Sequence, residues 1–141
     1  MDHRNFLETA RKLLRNAPTE ADIRTVVNRA YYAVHLHVSS WWNNTPDLPK
    51  YRGGAAHTKI PMALRNTRIS EAKEIGRELD DFYWDRRLAD YEMRGPKVEG
   101  KFNQKFGQWS LIRAQDLINK FDKLDKRSLK QSLMEYFETI K

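Results

Sequence analysis

Apolar residues recur every three or four positions through almost the whole chain, a spacing that predicts helices and no strands. Phe6, Leu7, Ala10, Leu13 and Leu14 mark a first helix, with Arg11, Lys12 and Arg15 between them. Asp2 stands where a cap belongs, and Asn16-Ala17-Pro18 ends the run. Thr19-Glu20-Ala21-Asp22 opens a second helix with a hydroxyl cap and acidic first-turn residues that suit the helix dipole. Its stripe is Ile23, Val26, Val27, Ala30, Val34, Val38 and Trp41, and it runs to about residue 42. Residues 43–49 read as a loop that Tyr51-Arg52-Gly53-Gly54 extends. A short helix is expected over residues 56–65, where Pro61 is tolerable only near the first turn. Ser70 is the expected cap of a fourth helix, lined by Ile75, Leu79, Phe82, Leu88 and Tyr91 up to about residue 93 and broken by Arg94-Gly95-Pro96. Phe102, Phe106, Trp109, Ile112, Leu117, Phe121 and Leu124 mark a long fifth helix, and Leu129, Leu133, Tyr136, Phe137 and Ile140 a last one.

Each helix carries one apolar stripe and must bury it against the others. The expectation is an all-α protein: a single domain over residues 1–141, folded as a compact bundle of five to six antiparallel helices. Trp41, Trp42, Trp84 and Trp109 are expected to supply core or a subunit contact. With no cysteine, disulfides and thiolate metal sites are excluded. No apolar run is long enough to span a bilayer, and Met1-Asp2-His3-Arg4-Asn5 is not followed by the apolar segment of a signal peptide, so a cytoplasmic protein without a membrane partner is expected. The net charge of +7 is concentrated from Arg86 onward and favours anionic partners.

The chemistry-bearing stretch is Asn28-Arg29-Ala30-Tyr31-Tyr32-Ala33-Val34-His35-Leu36-His37. An arginine holds a phosphate by paired, charge-assisted hydrogen bonds, and a histidine moves a proton near neutral pH. At ~100° per residue, His37 lies ~80° from Arg29 toward the core side and His35 ~120° away on the other side. Neither is stacked over Arg29 within one helix, so a joint site needs a bend or a second subunit; a two-fold dimer would supply it. The plainer alternative makes His37 a hydrogen-bonded core histidine and His35 a solvated one. A His-x-His metal pair is disfavoured, because residues i and i+2 point to different faces, so neither a metal nor another cofactor is expected.

The block Arg29-Ala30-Tyr31-Tyr32-Ala33, followed by an apolar residue and His35, resembles the signature of the HEPN domain superfamily. Ala56-His57-Thr58-Lys59 resembles the start of that family's third helix, and Arg86-Arg87-Leu88-Ala89-Asp90-Tyr91 its Arg-x-x-Ala-Asp-Tyr segment. The likeness extends over residues 6–122. It implies a helical homodimer and a metal-independent endoribonuclease whose motif is Arg, four to six residues, then His. Arg29 and His35 satisfy that spacing. In the closest subgroup the histidine falls where this chain has Leu36, which leaves His35 and His37 as alternatives.

The candidate catalytic residues are therefore Arg29, His35 and His37, with Asp90, Tyr91, Arg87, His57 and Lys59 as substrate-binding or supporting residues. Asp90 is expected to form a bundle salt bridge with Tyr91 packed beside it; the functional alternative has it pair with Arg29 or Arg87 and orient that residue. Gly53-Gly54 lacks the Gly-Lys-Ser/Thr of a P-loop and reads as a flexible loop. The resulting expectation is a protein acting on RNA in a toxin–antitoxin or phage-defence setting. The alternative is a non-catalytic module that binds a nucleotide or a protein partner, such as a nucleotidyltransferase-like antitoxin; a purely structural dimerisation domain is a third.

Overall fold

The computed structural model describes residues 2–16, 18–92 and 94–141. It is all-α, with six helices: α1 (His3–Arg15), α2 (Glu20–Asn43), α3 (Gly54–Arg65), α4 (Ser70–Tyr91), α5 (Gln104–Lys123) and α6 (Lys126–Thr139). No strand occurs among the described residues.

Local chemistry sets most of the ends. The Asp2 carboxylate accepts from the Arg4 amide, and Thr19 and Asp22 form a reciprocal capping box at α2. Asn103 caps α5 and Asp125 caps α6 in the same way. Two expectations are corrected. Ser70 is the first helical residue of α4 rather than its cap, and the cap position, Ile69, makes no side-chain bond. The Thr67 hydroxyl instead donates to the Leu64 carbonyl, and Ser132 Oγ of α6 accepts from the Arg68 amide, so this turn is held by tertiary contacts. Pro61 lies in the interior of α3, because that helix starts at Gly54. Its ring is buried, and packing offsets the lost backbone bond. The expected end of the fourth helix at Met93, and Ala17 in the expected break after the first, fall outside the described residues.

α2 is the central element and packs against α1, α4 and α5; α3 lies on α4, and α6 closes against α3. Residue pairing gives the directions. Arg24 reaches Glu92 and Asn28 reaches Asp90, so α2 and α4 are antiparallel. His57 faces Tyr83 and Arg65 faces Asp80, so α3 and α4 are antiparallel too. Gly76 is the point of closest approach of that pair: a Cβ there would lie 2.7 Å from the Pro61 carbonyl oxygen and 2.9 Å from the Arg65 nitrogen. Ile23, Val26, Val27, Ala30, Val34 and Val38 are all buried, as their spacing requires. Trp42, Tyr31, Phe82, Phe121, Leu64 and Ile75 fill the core, each stabilising the fold by roughly 1.5–3 kcal/mol through removal from water.

The tryptophans divide. Trp42 is fully buried and donates to the Pro49 carbonyl, and Trp41 is half-buried against Phe121. Trp84 and Trp109 are 55% and 46% exposed and are not core in the single chain. No helix is long and apolar enough to cross a membrane among the described residues.

Candidate functional site

The residues that carry chemistry meet where α2, α3 and α4 come together. His35 projects from α2 and His57 from the first turns of α3. Their rings stack with centroids 4.0 Å apart and planes 18° from parallel. Tyr31, one turn before His35 on α2, lies alongside both rings. Its hydroxyl is 2.5 Å from His57 Nδ1. Burial pushes the Tyr31 phenol above its ordinary range. The phenol therefore donates, and the one proton of neutral His57 sits on Nε2. Tyr83 of α4 stacks on the far face of His57 at 5.4 Å, and Tyr32 meets both imidazoles edge-on. Both histidines remain partly open to solvent.

The charge state follows from these surroundings. Burial, the neighbouring His57 and Arg86 push His35 down to about 3. Burial and Arg86 push His57 down to about 4. Both imidazoles are uncharged at neutral pH. This corrects the expectation of a histidine titrating near pH 7, because the aromatic cluster shields these rings from much of the water.

Arg86 is the residue that the sequence reasoning passed over. It is only 5% exposed, and its guanidinium carbon lies 5.4 Å from the Tyr31 and Tyr32 ring centres and 5.2 Å from that of Tyr83. Its Nη1 donates to Asp90 Oδ2 at 3.2 Å, and the same oxygen accepts from Asn28 at 2.9 Å. Asp90 thus pairs with Arg86 and Asn28 rather than with the Arg29 or Arg87 of the functional alternative. One helical turn places positions 86 and 90 on the same face. The available signal was the first arginine of the Arg86-x-x-Ala89-Asp90-Tyr91 segment, which lies on the buried side of α4 with Phe82 and Ala89.

Arg24 supports this arrangement from below. Its Nη1 donates to the carbonyls of Leu88, Ala89 and Glu92 at 3.2, 3.0 and 2.7 Å, satisfying the C-terminal end of α4 beside Asp90.

Arg29 is half-buried, donates to Asn28 Oδ1 at 2.7 Å and lies 5.9 Å from the Phe6 ring centre. No hydrogen bond or ion pair joins it to a histidine among the described residues. It is linked toward the stacked pair through Asn28 and Asp90 to Arg86, and through the Phe6 ring to Tyr32. His37 is placed elsewhere: on the α1 and α5 side of α2, its Nε2 donates to Asp122 Oδ1 at 2.6 Å and its ring meets His3 edge-on at 4.4 Å. His35 is accordingly the histidine that shares a site with another, and it is not the solvated residue of the plainer alternative.

The remaining candidates are peripheral. Arg87 donates to the Tyr83 hydroxyl at 3.2 Å and lies over Trp84 and Tyr91, the latter 67% exposed. Lys59 faces the Tyr51 ring at 5.5 Å. Gly53 has φ 61°, which glycine adopts without strain, at an α3 N-terminus without a side-chain cap. Among the described residues no group of three His, Asp or Glu side chains is arranged to hold a metal ion. No family model, no curated protein and no solved structure matches the chain.

Proposed function

We propose that this protein is an RNA-directed, metal-independent endoribonuclease of HEPN-like type, acting as a homodimer. The observation that carries the reading is the stacked, partly open His35–His57 pair, in which His35 lies six residues beyond Arg29 on the helix that resembles the family motif. The chemistry needs a base for the ribose 2′-hydroxyl and positive charge on the phosphate. Neutral His35 takes the 2′-hydroxyl proton as that oxygen attacks the adjacent phosphorus; the negative charge of the bound phosphate raises the imidazole's low pKa while it carries that proton. The His57 Nε2–H donates to a non-bridging oxygen and Arg29 stabilises the charge that builds there. As the bond to the 5′-oxygen breaks, protonated His35 returns its proton to that oxygen. The products are a 2′,3′-cyclic phosphate and a 5′-hydroxyl.

Among the described residues no hydrogen bond or ion pair joins Arg29 to the histidine pair within one chain, so the guanidinium comes from a second copy across a two-fold axis. The contact surface for that copy is the outward face of α4, where Trp84 and Tyr91 are exposed and Arg87 lies against both. The +7 charge attracts RNA to the assembly. A toxin–antitoxin or phage-defence role, with an antitoxin protein as a further partner, follows from the same resemblance.

A second reading, a non-catalytic module that binds a nucleotide or a protein partner, is favoured by Leu36 standing where the closest subgroup has its histidine. The test is incubation of a small RNA panel with wild type and Arg29→Ala in excess chelator. Cyclic-phosphate ends that disappear in Arg29→Ala support the enzyme; RNA retained without cleavage supports the binding module.

A further inference from the structure

We infer that Arg86 is the positioning residue of the histidine pair: a fixed, buried positive charge that gathers Tyr31, Tyr32 and Tyr83 around itself and thereby sets where His35 and His57 stand and which proton each carries. The inference rests on the proposed function for its relevance to catalysis, but not for its physics.

The geometry is unusual for a merely structural arginine. Arg86 is almost wholly buried, yet its guanidinium makes one hydrogen-bonded ion pair, with Asp90, and Asp90 divides the same oxygen with Asn28. Its Nε is buried without a hydrogen-bond partner among the described residues. An apolar side chain of similar volume would fill the space without that cost, since a buried, under-bonded charge destabilises a fold unless something offsets it. The offset here is three aromatic faces at 5.2–5.4 Å, which attract a cation through their quadrupoles. These three rings are also the ones that touch the imidazoles: Tyr31 lies along His35 and His57, Tyr83 stacks on His57, and Tyr32 meets both edge-on. One cation therefore organises every ring that contacts the pair.

Its charge acts in the same direction as its packing. The charged and titratable groups around the cluster are Tyr31, Tyr32 and Arg29 on α2, His57 and Lys59 on α3, and Asp80, Tyr83, Arg86, Arg87 and Asp90 on α4. Burial is the larger cause holding His35 and His57 uncharged, and Arg86 adds to it at both. A proton arriving on either ring is repelled by a charge that cannot leave, which preserves the free lone pair of His35 and the Tyr31-to-His57 hydrogen bond. Burial works against the charge of Arg86 itself, but Tyr32 and Asp90 outweigh it and hold the guanidinium protonated.

The test is a side-chain nitrogen NMR titration of the histidines in wild type, Arg86→Met and Arg86→Lys. In wild type both rings stay uncharged down to pH 5. Arg86→Met raises both midpoints by about one pH unit, and Arg86→Lys, which keeps the charge, leaves them low. Midpoints that stay put in a folded Arg86→Met protein overturn the inference, as does a wild-type ring that charges above pH 6. Should Arg86→Met fail to fold, Asp90→Asn serves: it keeps the guanidinium and removes its counter-charge, so both midpoints fall further, and unchanged or higher midpoints are the contrary result. No step of this experiment involves RNA. Responsive midpoints in a protein that cuts no RNA would retire the ribonuclease reading and leave the role of Arg86 standing.

Discussion

The imidazoles of His35 and His57 lie face to face, 4.0 Å between centroids, although the two residues come from different helices and are separated by the whole loop between α2 and α3. That contact exists because α3 and α2 both pack on α4, where Tyr83 and Arg86 form the floor beneath the two rings. It converts two unremarkable histidines into a pair whose protonation is coupled to folding.

Stability should therefore fall on mild acidification. Both groups have folded-state values below the ordinary 6.5, about 3 for His35 and about 4 for His57. Between those limits the unfolded chain binds more protons than the folded one, so their contribution is complete above pH 6.5 and is lost as the pH drops toward 3–4. Thermal unfolding followed by circular dichroism between pH 7.5 and 5 is expected to give a falling Tm, with a shallower fall in a His35→Phe/His57→Phe double variant. A flat Tm in wild type over that range would contradict the buried, neutral pair.

Two substitutions far from the histidines test the packing that holds them. Gly76→Ala drives a methyl group into the Pro61 carbonyl and the Arg65 backbone, neither of which is a flexible side-chain end. A loss of about 1–3 kcal/mol is expected from denaturant unfolding. Arg24→Met removes a donor from the Leu88, Ala89 and Glu92 carbonyls at the end of α4, of which Leu88 keeps its bond from the Glu92 amide, and is expected to cost about 2–3 kcal/mol. In native-state hydrogen exchange its effect should be largest over residues 83–92.

The outward face of α4 makes the proposed two-fold contact measurable. Trp84 and Tyr91 are exposed in the single chain, and Arg87 lies against both. Light scattering should give about twice the 16.8 kDa chain mass for wild type. Trp84→Ser with Tyr91→Ser should halve it, whereas Trp109→Ser, at another exposed tryptophan, should not. A monomeric wild type at tens of micromolar would leave Arg29 without the partner that the mechanism requires.

Much of this fold was legible because its determinants are local. The Asp2 cap, the Thr19–Asp22 box and the Ile23-to-Val38 stripe depend on residues within a few positions of one another, and each is present. The start of α4 and the place of Pro61 are not legible locally because tertiary contacts decide them: Ser132 of a distant helix secures the turn before α4, and burial of the Pro61 ring permits a proline inside α3. The site divides in the same way. The helical wheel separates Arg29 from His35 and His37, and the structure keeps them apart. That His57 would stack on His35, that Asp122 would take His37, and that Arg86 would hold Asp90 are relations between helices, on which periodicity within one helix is silent.

The most direct measurement compares RNA cleavage by wild type, His35→Ala and His37→Ala in excess chelator. The expected result is a loss of at least about a hundredfold in His35→Ala, the size of a missing general base, with His37→Ala close to wild type. Cleavage that survives in His35→Ala, or that fails only in His37→Ala, would place the chemistry away from the stacked pair.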